Sequence, residues 1–319
     1  MNWSSSAPAN LMLMGEHSVV HGYPAIAMAL SQRLTIFWQS RNDREITIDS
    51  SLGNLQTNLD QLTNIPQDSP FKWILYPIRN LSNELDRGFD IRVESEFEST
   101  LGLGSSAAVL AATLGGLQFY LNKTCNLVDT FRQGLKVIHQ IQGQGSGTDL
   151  AASLAGGVIL FEPKKQNITP IEAFLPAILV YSGYKTPTAK VLRKVHQNWL
   201  SQPEILKSLY KLMGKTTQKA FNALAKNDSA GFYQMVNTYQ GLMDALGVND
   251  KTLSQIVYAL RNQPGIRASK ISGSGLGDCA LGLGTNTIDA SSNTELKDFR
   301  HIEIQTASQG MTVKDLTNN

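Results

Sequence analysis

The sequence predicts an α+β fold, because strand-like and helix-like stretches occur in blocks rather than in strict alternation. Short alternating or continuous apolar runs, typical of strands, occur before residue 100 and again after residue 156. Long helix-forming runs occupy much of 107–142 and 186–262. Blocks of this kind favour helices packed on largely antiparallel sheets over a doubly wound parallel sheet.

The first half of the chain contains most of the predicted strands. The two alternating runs at 34–38 and 45–49 look like paired strands, and residues 51–67 are polar and are interpreted as an excursion. The remaining predicted strands are 91–97 and 156–161, and two further short apolar runs lie at 10–14 and 25–30. The predicted helices are 71–85, 107–121, 127–142 and 150–154.

The second half begins after a short polar and basic segment, Pro163 to Thr169, which is the best candidate for a domain boundary. We therefore predict two domains, 1–165 and 166–319. Residues 186–262 are interpreted as mostly helical, with breaks near Pro203, Lys226 and Gly247. The predicted strands of this half are 177–181, 268–272, 279–283 and 301–306.

The composition is that of an ordinary globular protein and excludes several classes of function. The chain has 319 residues, 42% hydrophobic and 17% charged, with a net charge of +2. The basic residues are scattered, so no nucleic-acid partner is expected. Only two cysteines occur, which argues against a disulfide scaffold. With no signal-peptide pattern and no run of about 18 apolar residues, we expect a cytoplasmic protein that has no membrane partner.

One stretch, Ser99 to Ala108, has the features of a phosphate-binding loop. It lies between a strand-like and a helix-forming run, and it contains Gly102, Gly104 and the pair Ser105-Ser106. Glycine lets the backbone turn tightly and approach a ligand. A helix N-terminus favours an anion through its N–H groups and dipole. The alternative is an ordinary strand-to-helix connection with a serine N-cap.

Glycine-rich loops recur at 143–147 and 273–277, again beside serine or threonine. Neither the dinucleotide fingerprint nor the Walker sequence is present, because no lysine follows the glycines of the first loop. A phosphate loop of this kind must depend on backbone amides and the helix dipole.

The motifs together carry a resemblance to a known family. The segments concerned are Ala7-Pro8, Gly15-Glu16-His17, His21-Gly22, 102–108 and 273–279. In order and spacing they resemble the three motifs of the galactokinase, homoserine kinase, mevalonate kinase and phosphomevalonate kinase superfamily. The stretch 15–22 is most similar to the mevalonate kinase branch, as is the stretch 240–248.

The resemblance implies a two-domain small-molecule kinase. Its N-terminal domain would be ribosomal-protein-S5-like and its C-terminal domain ferredoxin-like, with ATP and substrate between them. The residues implied to bind ATP are Gly102, Leu103, Gly104, Ser105, Ser106, Ala107, Ala108, Gly273, Ser274 and Gly275. Ser106 would also face Mg²⁺.

The resemblance also implies residues for catalysis and for the acceptor. Asp149 matches the carboxylate that acts on the substrate hydroxyl, although the residues alone fit a helix N-cap equally well. Glu16 and His17 match residues on the substrate side, and their alternative is a polar turn after a strand. Thr188 is a further substrate candidate in the loop that follows the strand 177–181. The lysines near it are expected to be solvated.

The chain departs from the family pattern at two charged positions. Asn10 stands where mevalonate kinases usually carry a lysine, and Ile138 stands where a glutamate that contacts Mg²⁺ is expected. The proline that commonly precedes the glycine loop is also replaced, near Ser99. Mg²⁺ would then be held mainly by Ser106, Asp149 and the nucleotide.

From the resemblance we expect ATP- and Mg²⁺-dependent phosphorylation of mevalonate in isoprenoid precursor biosynthesis. One alternative is a phosphomevalonate kinase. Two features favour it, namely residues 145–152 and the Gly-Asp-Cys ending of the third motif. Another is a catalytically impaired homologue that binds a nucleotide or metabolite. The expected partner is a small molecule, and the oligomeric state is open, with a homodimer as one option.

Overall fold

The computed structural model describes residues 1–98, 101–288 and 295–317. The chain divides into two compact units. Unit 1 contains Met1–Asn10, Ala29–Gly156 and Ala307–Asn319, and unit 2 contains Leu11–Met28 and Gly157–Thr306. Both units therefore combine segments that are distant in sequence, whereas the predicted domains are contiguous. The division into domains at residue 165 stays a prediction.

Twelve strands and eight helices are present in the described ranges. The strands are β1 (Asn2–Met14), β2 (Ala25–Ser40), β3 (Glu45–Ser50), β4 (Gly53–Asn58), β5 (Phe89–Ser95), β6 (Val158–Glu162), β7 (Asn167–Ile171), β8 (Ala177–Tyr181), β9 (Ala268–Ser272), β10 (Cys279–Leu283), β11 (Arg300–Ile304) and β12 (Thr312–Asp315). The helices are α1 (Lys72–Asn80), α2 (Ser105–Tyr120), α3 (Leu127–Gln142), α4 (Thr148–Ala155), α5 (Thr188–Asn198), α6 (Pro203–Ala225), α7 (Ser229–Leu246) and α8 (Lys251–Arg261). No helix in the part of the chain described is long and apolar enough to cross a membrane.

Unit 1 is built on a sheet in the order β12-β1-β2-β5-β3-β4. The predicted pairing of 34–38 with 45–49 is wrong, because β5 lies between these two strands. Ile91 of β5 is opposite Trp38 of β2 in an antiparallel pair and opposite Ile48 of β3 in a parallel pair. All three side chains are buried, so β5, which also alternates between buried and more exposed residues, separates the two runs.

An aromatic cluster fills the core of unit 1 between sheet and helices. The rings of Trp3 and Trp38 stack with centroids 5.7 Å apart, and Phe89 meets both edge-on. Tyr120, the last residue of α2, stacks on Trp3. The α2 helix has little amphipathic character because most of its side chains are buried. This arrangement fixes the helix whose N-terminus carries the first glycine loop.

The helix ends follow local signals to different degrees. The α3 helix agrees with the predicted 127–142 at both ends, where Asn126 caps the N-terminus and Gly143 ends the helix with positive φ. The α1 helix is shorter than the predicted 71–85 and ends at Asn80. The residues beyond it form turns instead, which Ser82 and Asn83 favour.

Unit 2 contains a separate antiparallel sheet in the order β11-β8-β10-β9. Numbered along the chain, these strands have the order 4-1-3-2, which agrees with the predicted ferredoxin-like domain. The α7 and α8 helices pack on this sheet, and α6 packs on α7. The first residues of β2 pair with β6, and β6 pairs with β7. The segment Pro163 to Thr169 is therefore the turn and first part of a hairpin strand.

Candidate functional site

The first glycine loop leads directly into α2. Gly102 and Gly104 have φ values of 72° and 68°, and Gly104 is the N-cap of the helix. Ser105 and Ser106 are its first two residues, so the interpretation of a serine N-cap is wrong. The N-cap makes no side-chain hydrogen bond to the helix. The first turn therefore presents backbone N–H groups and a helix dipole without a capping side chain, as an anion site requires.

Asn10 lies beneath this loop and is 1% exposed. Its backbone N–H donates to the carbonyl oxygen of Leu103 at 3.0 Å. Its Nδ2 donates to the carbonyl oxygen of Gly104 at 3.3 Å and to Oγ of Ser153 at 2.9 Å. Oγ of Ser153 in turn donates to the carbonyl oxygen of Pro8. Asn10 thus joins β1, the glycine loop and α4, where a lysine would have to bury its charge.

The second glycine loop positions Asp149. Gly147 is the N-cap of α4 and Asp149 is the second residue of the helix, so the alternative that Asp149 is the N-cap is wrong. Asp149 is exposed, and it lies one turn before Ser153 on the same helix face. Because Ser153 is hydrogen-bonded to Asn10, this face of α4 is tied to the first glycine loop. A carboxylate in the first turn is also stabilised by the helix dipole.

Ile138 cannot replace the expected glutamate ligand. It is 8% exposed, and its Cγ2 would lie 2.7 Å from a Cβ placed on Gly145. Ile138 therefore packs against the second glycine loop as a core residue, and His139 supports the same loop through the carbonyl oxygen of Gly145. No group of three or more histidine, cysteine or acidic side chains in the described ranges could hold a metal ion. The exposed Ser106 and Asp149 supply the kind of oxygen atoms that Mg²⁺ prefers.

A cavity of about 750 Å³ opens beside the N-terminus of α2, within the size range of small-ligand sites. Ser105, Ser106 and Val109 line it from the helix. Phe71 and Trp73 are among its apolar residues, and 50–52, 68–74, Val93 and 95–98 supply most of the rest. This cavity lies entirely within unit 1 and gives the serine pair a neighbouring volume large enough for a nucleoside.

In unit 2, Glu16 and His17 form an unusual turn. His17 has φ 64° and ψ −50°, and the N–H of Ser18 donates to the carbonyl oxygen of Glu16 at 2.7 Å. These values describe a classic γ-turn, which is rare and strained for a residue with a side chain. Glu16 and His17 are 4% and 5% exposed. The alternative of an ordinary polar turn does not account for this burial.

The carboxylate of Glu16 is paired inside unit 2. Its Oε1 lies 2.6 Å from Nζ of Lys270, and both side chains are almost completely buried. Burial raises the pKa of Glu16, and the charge of Lys270 opposes this effect. The hydroxyl of Tyr239 accepts from the N–H of Gly15 at 3.0 Å and donates to the carbonyl oxygen of Glu16 at 2.9 Å.

The ring of His17 is held as a neutral imidazole. Its Nε2 lies 2.8 Å from the carbonyl oxygen of Ser274. A carbonyl oxygen only accepts, so this nitrogen carries the proton. Burial lowers the pKa of His17 to about 4. Its Nδ1 has no hydrogen-bond partner among the residues that the structure covers.

The third glycine loop packs on the segment that precedes Thr188. Gly273 and Gly275 have φ values of 80° and 84°, and a Cβ on Gly275 would lie 2.3 Å from the carbonyl oxygen of Val248. Thr186 donates to the carbonyl oxygen of Leu276, and Lys185 lies 3.6 Å from Asp278. Two separately predicted loops are therefore neighbours.

Thr188 itself is exposed at the start of α5.

Asp278, which lies 3.6 Å from Lys185, has φ 66°. Burial raises the pKa of its carboxyl, and the charge of Lys185 opposes this effect. Cys279 begins β10, and burial raises the pKa of its thiol to about 12.

Several residues that support these loops were not predicted from the sequence. Tyr239 and Lys270 lie 223 and 254 positions from Glu16, so no local spacing connects them. One feature does point to a special role for Lys270, because it is the one charged residue of β9, a strand that is fully buried. The structure places Asn10, Gly102–Ala108 and Asp149 in unit 1 and Glu16, His17, Thr188 and Gly273–Gly275 in unit 2.

Comparisons with known families match both halves of the chain. Residues 73–157 match the family described as GHMP kinases N terminal domain, and residues 220–292 match the one described as GHMP kinases C terminal. The first match contains the glycine loop and Asp149, and the second contains Tyr239, Lys270 and the third loop.

Comparisons with single proteins cover most of the chain. Mevalonate kinase of Pyrococcus furiosus is 31% identical over 300 residues, which are 88% of this chain and 89% of the relative. The crystal structure of Methanococcus jannaschii mevalonate kinase has a TM-score of 0.77 and 24% identity, covering 95% of this chain and 98% of the other. Streptococcus pneumoniae phosphomevalonate kinase, in complex with phosphomevalonate and AMPPNP, has a TM-score of 0.72 and 18% identity, covering 92% and 95%.

Proposed function

The chain belongs to the GHMP kinase family, and from this membership we propose that it transfers the γ-phosphoryl group of ATP to the primary hydroxyl of mevalonate. The observation that carries the choice of acceptor is the 31% identity to an archaeal mevalonate kinase over 88% of the chain. The buried Gly15-Glu16-His17 turn supports it, because this segment most resembles the mevalonate kinase branch. The product would be phosphomevalonate.

We infer that the first glycine loop binds the phosphates of ATP. The uncapped N-terminus of α2 supplies N–H donors and a dipole of the correct sign. The adjacent cavity in unit 1 would take the nucleoside, with Phe71 and Trp73 as apolar surface for the base. Ser274 and the glycines beside it, Gly273 and Gly275, are proposed as further contacts to the nucleotide.

Asp149 is proposed as the base that accepts the proton of the acceptor hydroxyl. As the oxygen of that hydroxyl bonds to the γ-phosphorus, the bond to the β-phosphate oxygen breaks and ADP leaves. The hydroxyl proton passes to the carboxylate of Asp149. In phosphoryl transfer most of the catalysis comes from positioning and charge stabilisation, which we assign to the first glycine loop. Proton acceptance by Asp149 would add to this rate enhancement.

We propose Ser106, together with Asp149, as the protein groups that would hold Mg²⁺. Bound with the nucleotide, this ion neutralises charge that develops on the phosphates. The exposure of both side chains supports the proposal, and buried Ile138 takes no part in it. Glu16, His17 and Thr188 are proposed as contacts to the acceptor.

The test is ADP release by purified protein given ATP, Mg²⁺ and, in turn, mevalonate, phosphomevalonate, homoserine or galactose. We expect turnover with mevalonate alone. Turnover only with phosphomevalonate would replace the proposal by the phosphomevalonate kinase alternative. Binding of ATP without turnover of any acceptor would instead identify a catalytically impaired homologue.

A further inference from the structure

The strained turn at His17 is held from three sides by groups distant in sequence. The γ-turn lies between Gly15, with φ 112°, and a short 3₁₀ helix that begins at Ser18. A residue with a Cβ adopts such a conformation only where surrounding contacts determine it. The three contacts come from α7, β9 and the third glycine loop, all within unit 2.

Tyr239 fixes the backbone on the N-terminal side of the turn. Its hydroxyl accepts from the N–H of Gly15 and donates to the carbonyl oxygen of Glu16. That same carbonyl oxygen also accepts from Ser18 and so closes the γ-turn. Tyr239 is completely buried, which keeps the hydroxyl on these two partners and away from water.

Lys270 fixes the side chain of Glu16. Its Nζ contacts Oε1 of Glu16 and the carbonyl oxygen of Ile271, and it lies 5.7 Å from the ring centroid of Tyr239. A buried pair of this kind adds little net stability, because desolvating two charges offsets their attraction. Its geometric effect remains, since Glu16 cannot rotate without leaving a buried charge unpaired.

These contacts fix the imidazole ring of His17, and they leave its Nδ1 without a hydrogen-bond partner among the described residues. Nε2 donates to Ser274, so Nδ1 keeps its lone pair, and the ring is buried. A buried acceptor without a partner is unfavourable unless a bound water or a ligand supplies a donor. An alcohol substrate supplies such a donor through a hydroxyl group.

We propose that Tyr239 and Lys270 are positioning residues, which hold Gly15-Glu16-His17 in its strained turn so that Nδ1 of His17 accepts a hydrogen bond from a hydroxyl group of the substrate. This inference rests on the proposed function for the identity of that substrate. It adds the two residues that set the direction of the lone pair and the nitrogen atom that receives the hydrogen bond.

The experiment compares Tyr239→Phe with a matched control, Tyr120→Phe, in the full-length chain. Each variant loses one tyrosine hydroxyl that is hydrogen-bonded, to the turn in the first case and to Asp86 in unit 1 in the second. We expect Tyr239→Phe to raise KM for mevalonate by about tenfold, the effect of losing a hydrogen bond of ordinary strength. KM for ATP should stay within about twofold for both variants, and Tyr120→Phe should leave KM for mevalonate unchanged.

Nitrogen-15 NMR of the His17 ring supplies a readout independent of turnover. Wild-type protein should show the Nε2–H tautomer, and Nδ1 should shift on addition of mevalonate and not of ATP. Tyr239→Phe should weaken this response, and Lys270→Gln should do the same if the first variant fails to fold. A wild-type Nδ1–H tautomer, or variants whose His17 signals and KM both match wild type, would overturn the inference.

Different results would contradict the proposed function and the positioning role of Tyr239 and Lys270. If wild-type protein does not turn over mevalonate, the proposed function is wrong. The tautomer of His17 and its change in Tyr239→Phe would still decide whether Tyr239 positions the ring.

Discussion

The side-chain nitrogen of Asn10 lies 3.3 Å from the carbonyl oxygen of Gly104, the N-cap of the helix that follows the first glycine loop. A Cβ on Gly104 would lie 2.1 to 2.3 Å from the atoms of this amide. The two residues therefore require each other: the glycine leaves room for the amide, and the amide holds the loop against β1 and α4. The residue that holds the loop is therefore a neutral one, where a charged one was expected.

Replacing Gly104 tests this close approach. Gly104→Ala should lower the free energy of unfolding by ~2 kcal/mol or more, because it adds a clash to a residue with positive φ. Asn10→Ala alone should lower it by ~1 to 2 kcal/mol through lost hydrogen bonds. The double variant should lose less than the sum, since removing the amide removes the clash. Urea denaturation measures all four proteins, and strict additivity would contradict the coupling.

Asp149 is predicted to act on the acceptor and on Mg²⁺, and not to contact ATP itself. Asp149→Asn should lower kcat by roughly 10² to 10⁴, the usual contribution of a general base. The dissociation constant of ATP, measured by calorimetry without Mg²⁺, should change by less than about twofold. Asp129→Asn is the matched control, because Asp129 is also an exposed carboxylate in the first turn of a helix. Equal losses in the two variants, or loss of ATP binding in Asp149→Asn, would show that the role is misassigned.

His17 should give the stability of the protein a defined dependence on pH. Its pKa is about 4 in the folded protein against an ordinary value of 6.5, with burial as the main cause. The unfolded chain therefore binds a proton that the folded protein excludes, and the free energy of unfolding falls as pH drops from 6.5 towards 4. This loss amounts to about 3 kcal/mol.

His17→Asn should remove this contribution while leaving a side chain that tolerates positive φ. Denaturation curves across the same pH range would show a shallower slope for the variant than for wild type. His196→Asn, at an exposed histidine of α5, serves as the control and should keep the wild-type slope. An unchanged slope in His17→Asn would mean that the ring is not buried as a neutral group.

Lys270→Met leaves the carboxylate of Glu16 buried without its partner and should lower the free energy of unfolding by about 3 to 5 kcal/mol. The pKa of Glu16, already raised by burial, should rise further without the lysine. The folded variant then holds a proton that the unfolded chain releases, so its deficit against wild type should shrink as pH falls.

Adding Glu16→Gln to Lys270→Met removes both charges and should recover part of the lost stability. The same denaturation series measures this double variant. A deficit that is independent of pH, or a double variant less stable than Lys270→Met, would show that the two groups are not a coupled buried pair.

Where local signals are strong, the sequence predicts the structure closely. Residues 127–142 have an asparagine N-cap and a glycine stop, so the predicted helix and α3 coincide. The strands 177–181, 268–272 and 279–283 were also predicted with their observed limits. All three strands lie between glycine or proline residues, which mark strand ends without any need for tertiary information, and 177–181 and 279–283 are also apolar runs.

Features that depend on distant pairing could not be predicted. The serines at 4–6 give β1 no apolar pattern, yet they lie in a strand of 13 residues paired with β12. Strand β12 itself has only four residues. The same limitation applies to the site, where the glycine loops were visible in the sequence but the contacts of Glu16 with Lys270 and Tyr239 were not. The contacts to ATP and to the acceptor stay predictions.

The pairing of Trp3 with Asp315 has a consequence for biosynthesis. A ribosome makes β1 before β12, and all of 157–306 emerges between them. The sheet of unit 1 therefore cannot be completed until β12 has been made, even though most of its other strands were made earlier. Until then the outer side of β1 is an open strand edge, which is a template for association with other chains. A nascent or truncated chain that lacks β12 would keep this edge, so the pairing of β12 with β1 protects the newly made protein from aggregation.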